Sequence, residues 1–348
     1  MRTVVHYGLC SLAYSGYVLH GLHQLAAKKL IRLEISRTVP ADLRAAAGNH
    51  PHMQMTPVFD AFDGSSRTRF CIDNHDKADF VHPELINAVD HYFKLNHNPE
   101  VLEDLNLAAS QREKIVAFQG PISPIRPSRW HHRPSLRTSR EMAWGRRDIL
   151  RRIRHLQRLP RYEDLVTRRS MAKTIDVVFV NRIYREPHHQ PINDFRYEVG
   201  SKLAAHPDIN ARVGFIGPGV TGKFLRYAVD ENTPDEHLDQ LASSRLGIYV
   251  WGTHRCLSFK MCELLALGLP VVGQTIPQDQ RNLTRLPHLA EQFAYDDSQE
   301  LVDAVVVALD DTEWLLDRSR SNTSVFDENL APMPSAKRLI DHIFSAGS

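Results

Sequence analysis

Cysteine is sparse in this chain: four residues in 348, Cys10, Cys71, Cys256 and Cys262. None forms a CxxC pair, so neither a disulfide framework nor a zinc ribbon is expected. There is no HExxH sequence either. Nineteen histidines are present, with adjacent pairs at His131-His132 and His188-His189, but no spacing supplies the three or four ligands of a closed metal site. No metal is expected on these grounds. Long apolar runs are also missing. Without a stretch of about 18 apolar residues, no transmembrane segment is expected. The opening residues, MRTVVHYGLC, lack the charged and apolar regions of a secretion leader. A cytoplasmic location follows, with peripheral attachment as the one membrane relation left open. No internal repeat is visible.

What is present is an ordinary globular composition, 42% hydrophobic and 24% charged, which can bury a sizeable core. The length favours two domains. The net charge of +2 hides an asymmetry. Between Arg126 and Lys173 there are fifteen Lys or Arg against four Asp or Glu, so the rest of the chain is acidic. A block this basic implies an anionic partner or a solvated, arginine-rich helix.

Apolar patterning divides the chain near Met171. In the first part, residues 1–170, Thr3–Tyr7 and Ile31–Ile35 read as strands around a Gly8–Gly16 loop and a helix over Tyr17–Leu30. This is the opening of a parallel α/β sheet. The segment Met53–Asp79 has no clear period. Pro83–Val89 reads as a helix and His91–Leu95 as a strand. Pro121–Pro134 reads as a loop, and Arg146–Arg158 has helical composition within the basic 126–173 segment. In the second part, residues 171–330, Ile175–Val180 is a near-continuous apolar strand of the kind buried on both faces of a parallel sheet. Val213–Ile216 and Leu246–Val250 are further strands. A terminal helix is expected within 331–348.

The densest chemistry lies from Ser243 to Gln274. A strand leads into the loop Gly252-Thr253-His254-Arg255. Ser258 suits an N-cap, Phe259–Leu267 is a good helix former, Gly268 fits the left-handed C′ position, and Pro270 prevents continuation. The helix N-terminus favours an anion. Lys260 adds charge in the first turn, and Glu263, three residues on, shares its face. Cation and amides suit a diphosphate, and a carboxylate suits ribose hydroxyls.

The run Gly-x-x-Arg-x-x-Ser-Phe-Lys-x-x-Glu-x-Leu-x-Leu-Gly-x-Pro-Val, from Gly252 to Val271, resembles the donor-binding half of GT-B glycosyltransferases, most closely the exostosin-like and group 1 types. The resemblance implies two doubly wound Rossmann-like domains facing across a cleft, the first binding the acceptor, with the last helix packed back on it. It implies a nucleoside-diphosphate sugar as donor, no other cofactor and no metal. By position it implicates His254, Arg255, Ser258, Lys260 and Glu263 in donor binding. The sequence departs from many retaining members by carrying Arg255 where they have a second Glu, so the anomeric outcome is left open.

Other candidates surround this core. Arg182 follows the Ile175–Val180 strand at its carboxyl end, where open α/β sheets bind ligands. Gly217-Pro-Gly-Val-Thr-Gly222-Lys223 matches most of a P-loop, but Phe224 stands where Ser or Thr would ligate magnesium. Gly217 and Gly219 are therefore read as a turn that lets backbone approach a nucleotide, with a plain glycine turn and a P-loop-like nucleotide-binding protein as alternatives. Asp73, His75 and Asp76 follow a strand-like run and could supply a general base, or form a turn with Asx hydrogen bonds. His6 ends the first strand and is a further candidate. The acceptor is read as a cell-surface glycan or glycolipid at a membrane, with DNA carrying a modified base as the alternative.

Overall fold

In the computed structural model, residues 1–7, 12–36, 38–47, 55–118, 120–126, 150, 154–276, 280 and 285–345 are described. The chain is α/β and divides into two compact units. The first comprises Met1–Arg161, Asn282–Thr284 and Asn329–Ser348; the second comprises Tyr162–Arg281 and Arg285–Glu328. Most of the basic 126–173 segment (127–149 and 151–153) lies outside the described residues. Residues 8–11 do as well, and the first helix begins at Leu12, so the expected Gly8–Gly16 loop is shorter than read.

The first unit holds a mixed six-stranded sheet in the order β2-β1-β3-β4-β5-β6. The strands are β1 (Thr3–His6), β2 (Arg32–Ile35), β3 (Val58–Asp63), β4 (Ser66–Asp73), β5 (His91–Lys94) and β6 (Ile115–Ala117). β1 and β2 are parallel, as are β4, β5 and β6, but β3 runs antiparallel to both β1 and β4. This corrects the expectation of a doubly wound parallel sheet. The β3–β4 hairpin turns at Gly64, whose φ of 60° supplies the positive φ that two-residue hairpin turns need.

The reason the hairpin hides in the sequence is its charge. β3 is central and buried on both faces, yet it carries Asp60 between Phe59 and Ala61. Arg69 of β4 meets it, its Nε donating to Asp60 Oδ1 at 2.7 Å, and the Tyr7 hydroxyl donates to Asp60 Oδ2 at 2.7 Å. A buried carboxylate is tolerated when its lone pairs are filled in this way. The resulting sequence, apolar-acid-apolar and basic-apolar, breaks the run that marks a buried strand. Helix Pro332–Ser345 lies against helix Leu12–Ala27. A Cβ on Gly21 would stand 2.0 Å from Pro332 O, and Tyr17 Oη donates to Leu330 O at 2.6 Å.

The second unit holds a four-stranded parallel sheet in the order β10-β9-β7-β8. Its strands are β7 (Ile175–Arg182), β8 (Ala211–Ile216), β9 (Ser244–Tyr249) and β10 (Val271–Gly273). Helices Gln190–Ala205 and Ser298–Asp310 pack Val199, Leu203, Leu301, Val302 and Val305 onto Val177, Phe179, Leu246 and Ile248. Three of the cations that end the basic segment are consumed inside this unit. Arg168 pairs with Asp235 and Asp239, Arg169 forks onto Asp327, and Lys173 donates to Ala242 O at the end of helix Pro234–Ala242. No helix among the described residues is long and apolar enough to cross a membrane.

The helix Phe259–Ala266 ends in a Schellman motif. Leu269 N–H donates to Leu264 O and Gly268 N–H to Leu265 O, both at 3.0 Å, with Gly268 at φ 66°. A Cβ there would also stand 2.5 Å from Thr323 Oγ1. Gly268→Ala is expected to cost about 1–2 kcal/mol from the left-handed backbone, and more if Thr323 cannot turn away. A urea titration should show a lower midpoint at unchanged slope.

Candidate functional site

The second sheet reverses its winding between β7 and β9. From β7 the chain runs to β8 on one side, then returns to lay β9 and β10 on the other. The carboxyl ends of strands beside such a reversal form the ligand crevice of open α/β sheets. β7 and β9 pair at Ile175 with Ser244 and at Val177 with Leu246. The main chain beyond these pairs needs other partners.

Two cations supply them. Arg196, buried in helix Gln190–Ala205, donates from Nη1 to Arg182 O at 2.7 Å and from Nη2 to Trp251 O at 2.8 Å. It therefore ties the exit of β7 to the exit of β9. Lys260 reaches back from the first turn of helix Phe259–Ala266. Its Nζ donates to Val180 O at 2.8 Å and to Asn181 Oδ1 at 3.1 Å. The residue keeps some solvent access, and the ammonium is its enclosed end. Burial pushes its pKa down to about 8, with Arg196 acting in the same direction and Glu263 opposing. Two buried polar groups beside these cations, Arg196 Nε and Asn181 Nδ2, have no hydrogen-bond partner. Lys260 thus braces the exit of β7, its ammonium held by the chain's own oxygens.

The loop after β9 is strained. His254 and Arg255 are consecutive residues with φ of 57°, a region costly for side chains of this size. The strain aims Arg255 outward, with its guanidinium 4.7 Å from the centre of the Trp251 ring. Trp251 is fixed by Gln274 and Thr275, which accept from its N–H and its indole Nε1 at 2.9 and 2.8 Å. Ser258 stands at the N-cap with extended backbone but makes no side-chain cap hydrogen bond. The expected hydroxyl cap is not formed. Glu263 faces His237, Oε2 to Nε2 at 3.3 Å. Arg182, two-fifths exposed, pairs with Glu231. The structure therefore brings Arg182, His254, Arg255, Ser258, Lys260 and Glu263 together as neighbours of the β7 and β9 exits.

The glycine loop serves the protein's own backbone. Gly217 has φ of 98°, and a Cβ there would meet Arg182 Cγ at 2.9 Å. A Cβ on Gly219 would stand 2.3 Å from Tyr184 O, and Gly219 N–H donates to Ile183 O at 3.0 Å. These glycines let the loop after β8 lie on the chain leaving β7, in close approach to Ile183 and Tyr184. The turn also departs from a P-loop in its geometry. β8 leads into a 3₁₀ turn, Gly222–Tyr227, instead of an α-helix, and Lys223 is held by Asp194 at 2.6 Å and lies over the Tyr197 ring.

The first-unit candidates are structural. Asp73 is fully buried. It accepts from Lys94 Nζ at 3.0 Å, from Tyr92 Oη at 2.8 Å and from His75 N–H at 2.9 Å. A general base needs a lone pair facing substrate, and this one is filled by an internal network. His75 is buried beside Phe80 and pairs with the more exposed Asp76 at 3.4 Å. His6 is a core histidine against Phe59, and burial lowers its pKa to about 3.

Arg196, Asn193 and the pair His188-His189 were not singled out as parts of this site. Asn193 accepts from Tyr184 N–H and donates to Tyr184 O, clamping the turn that follows β7. In sequence these residues sit in and before an ordinary helix; the histidine doublet was the one visible signal. The 3₁₀ turn Pro187–His189 brings that doublet beside His254. No protein-family model matches the chain, and no curated protein matches it.

Two stability measurements separate these roles. Removing Asp73 strands the buried Lys94 charge, so Asp73→Ala should cost roughly 3–5 kcal/mol, read by urea denaturation. For Lys260, below pH about 8 both the folded and unfolded chains carry the proton. Above it, the unfolded chain holds a proton that the fold has released, so stability rises with pH up to the ordinary lysine value. The wild type should gain on Lys260→Met by at most about 1.4 kcal/mol per pH unit over that window. A difference independent of pH would contradict an enclosed ammonium.

Proposed function

We propose that the second unit binds a nucleoside-diphosphate sugar over the carboxyl ends of β7 and β9, and that the protein transfers the sugar to an acceptor hydroxyl. One observation carries this reading: two buried cations, Arg196 and Lys260, are held by neutral acceptors beneath a crevice whose rim holds the exposed Arg255, the half-exposed Arg182 and the N-terminus of helix Phe259–Ala266. Such a crevice favours a dianion. In a medium of lower dielectric than water, the field of buried cations reaches further than that of surface ones.

The roles follow from position. Arg255 and the first-turn amides meet the diphosphate, and Ser258, its hydroxyl uncommitted to a cap, adds a hydrogen bond. Arg196 and Lys260 contribute field without contact and stabilise charge developing on the leaving diphosphate. Glu263, steadied by His237, takes the ribose hydroxyls. Protein cations neutralise the donor here, so the transfer needs no metal. The reading is that of a GT-B-type transferase, with the first unit proposed as the acceptor-binding half. A glycan or glycolipid acceptor, reached through the basic 126–173 segment, suits a peripheral cytoplasmic enzyme. DNA would declare itself by a steep salt dependence of binding.

The test is calorimetric titration with UDP, GDP, TDP, CMP and ADP sugars in chelator. One donor should bind. Arg255→Ala should weaken it about tenfold or more, equivalent to about 1.4 kcal/mol, and the free nucleotide should appear slowly as the sugar is lost to water. Absence of binding by every donor, or binding indifferent to both Arg255→Ala and Arg182→Ala, would refute the reading.

A further inference from the structure

Three imidazoles meet beside the crevice. His188 and His189 come from the 3₁₀ turn Pro187–His189, and His254 comes from the strained loop after β9. Their ring centres lie 4.0 Å apart for His188 and His189, 5.9 Å for His188 and His254, and 5.5 Å for His189 and His254. One ring nitrogen from each lies within 4.8 Å of the other two, and among the described residues this is the one group of three metal-ligating side chains so disposed.

We propose that His188, His189 and His254 form a site for a divalent transition metal, with zinc the best match to an all-imidazole donor set. Imidazole nitrogen is a favoured ligand of zinc, copper and nickel, and hard cations such as magnesium and calcium prefer oxygen. Zinc–nitrogen bonds of about 2.0–2.1 Å place tetrahedral ligands about 3.4 Å apart, so the three rings close by roughly an ångström of side-chain rotation. His188 is exposed and free to make that movement. Three protein ligands leave a fourth position open to water or an anion.

The fold gives the site a purpose. The metal joins the turn after β7 to the loop after β9, the same two strand exits that Arg196 joins from beneath. It therefore acts as an outer clip, holding His254 and Arg255 in their positive-φ conformation. The site does not rest on the nucleotide reading, since no group of the donor is needed to form it.

The test uses tag-free, full-length protein without nucleotide. Cobalt(II), titrated at neutral pH, should give saturable visible bands at one equivalent per chain, displaced by zinc, and zinc should raise the melting temperature. Binding should weaken in acid, because protons compete for the same nitrogens. His188→Ala should lower affinity about tenfold or more, a loss of the size seen when metal ligation is disturbed. His254→Asn, which keeps a residue tolerant of positive φ, should do the same with an unchanged melting temperature in chelator. His155→Ala, an exposed histidine of the first unit, should bind as wild type does. The proposal is overturned if cobalt and zinc give no saturable one-to-one site, or if binding survives both His188→Ala and His254→Asn. Nucleotide binding in chelator remains a separate measurement, so either result can fail alone.

Discussion

At the ends of β7 and β9 an arginine and a lysine bond to the main chain, Arg196 to Arg182 O and Trp251 O and Lys260 to Val180 O. These bonds shape the second unit. Arg196 ties the two strand exits to each other, and Lys260 ties the helix that follows β9 to β7. Arg196 suits its place because its planar fork can reach two carbonyls at once. Lys260 suits a carbonyl and an amide oxygen deeper in the crevice, where a compact ammonium fits.

Buried charge is handled in two ways, and the second unit uses both, since its buried Arg318 is paired with Glu291 and Asp317. In the first, Asp60 faces Arg69 and Asp73 faces Lys94, so each charge is cancelled within bonding distance. Such pairs hold strands in register and project little field. In the second, Arg196 and Lys260 bond to neutral oxygens, with Glu263 tempering Lys260 from further off. Uncancelled buried charge costs stability and is retained most readily where a ligand completes it.

What could be read in advance was local. The strand read over Ile175–Val180, the helix read over Phe259–Leu267 and its left-handed Gly268 are written in short apolar runs and turn chemistry, and they stand in the structure as Ile175–Arg182, Phe259–Ala266 and Gly268 at φ 66°. The β3–β4 hairpin escaped because paired charges interrupt its apolar run, and pairing is a property of two strands together. Lys260 starts in the first turn of its helix and its ammonium ends on Val180 O of β7: the first turn fixes where a side chain starts, and the neighbouring strand decides where it ends. The glycines at 217 and 219 are legible as sites of close approach, but their partners, Arg182 and Ile183 for Gly217 and the Tyr184 carbonyl for Gly219, lie at the exit of the neighbouring strand. The histidine cluster needs a turn and a loop more than sixty residues apart, so no spacing rule could have found it.

The contact between Gly21 and Pro332 has a consequence for how the molecule comes into being. The first unit is begun at the start of the chain, yet the helix that covers its Leu12–Ala27 helix is made after the entire second unit. Domains generally fold in order as they leave the ribosome. Here the order is inverted: the second unit can finish while the first still waits, its apolar helix face uncovered, for residues on the far side of its neighbour. The first unit therefore stays open to misassembly until helix Pro332–Ser345 has been made, after the second unit.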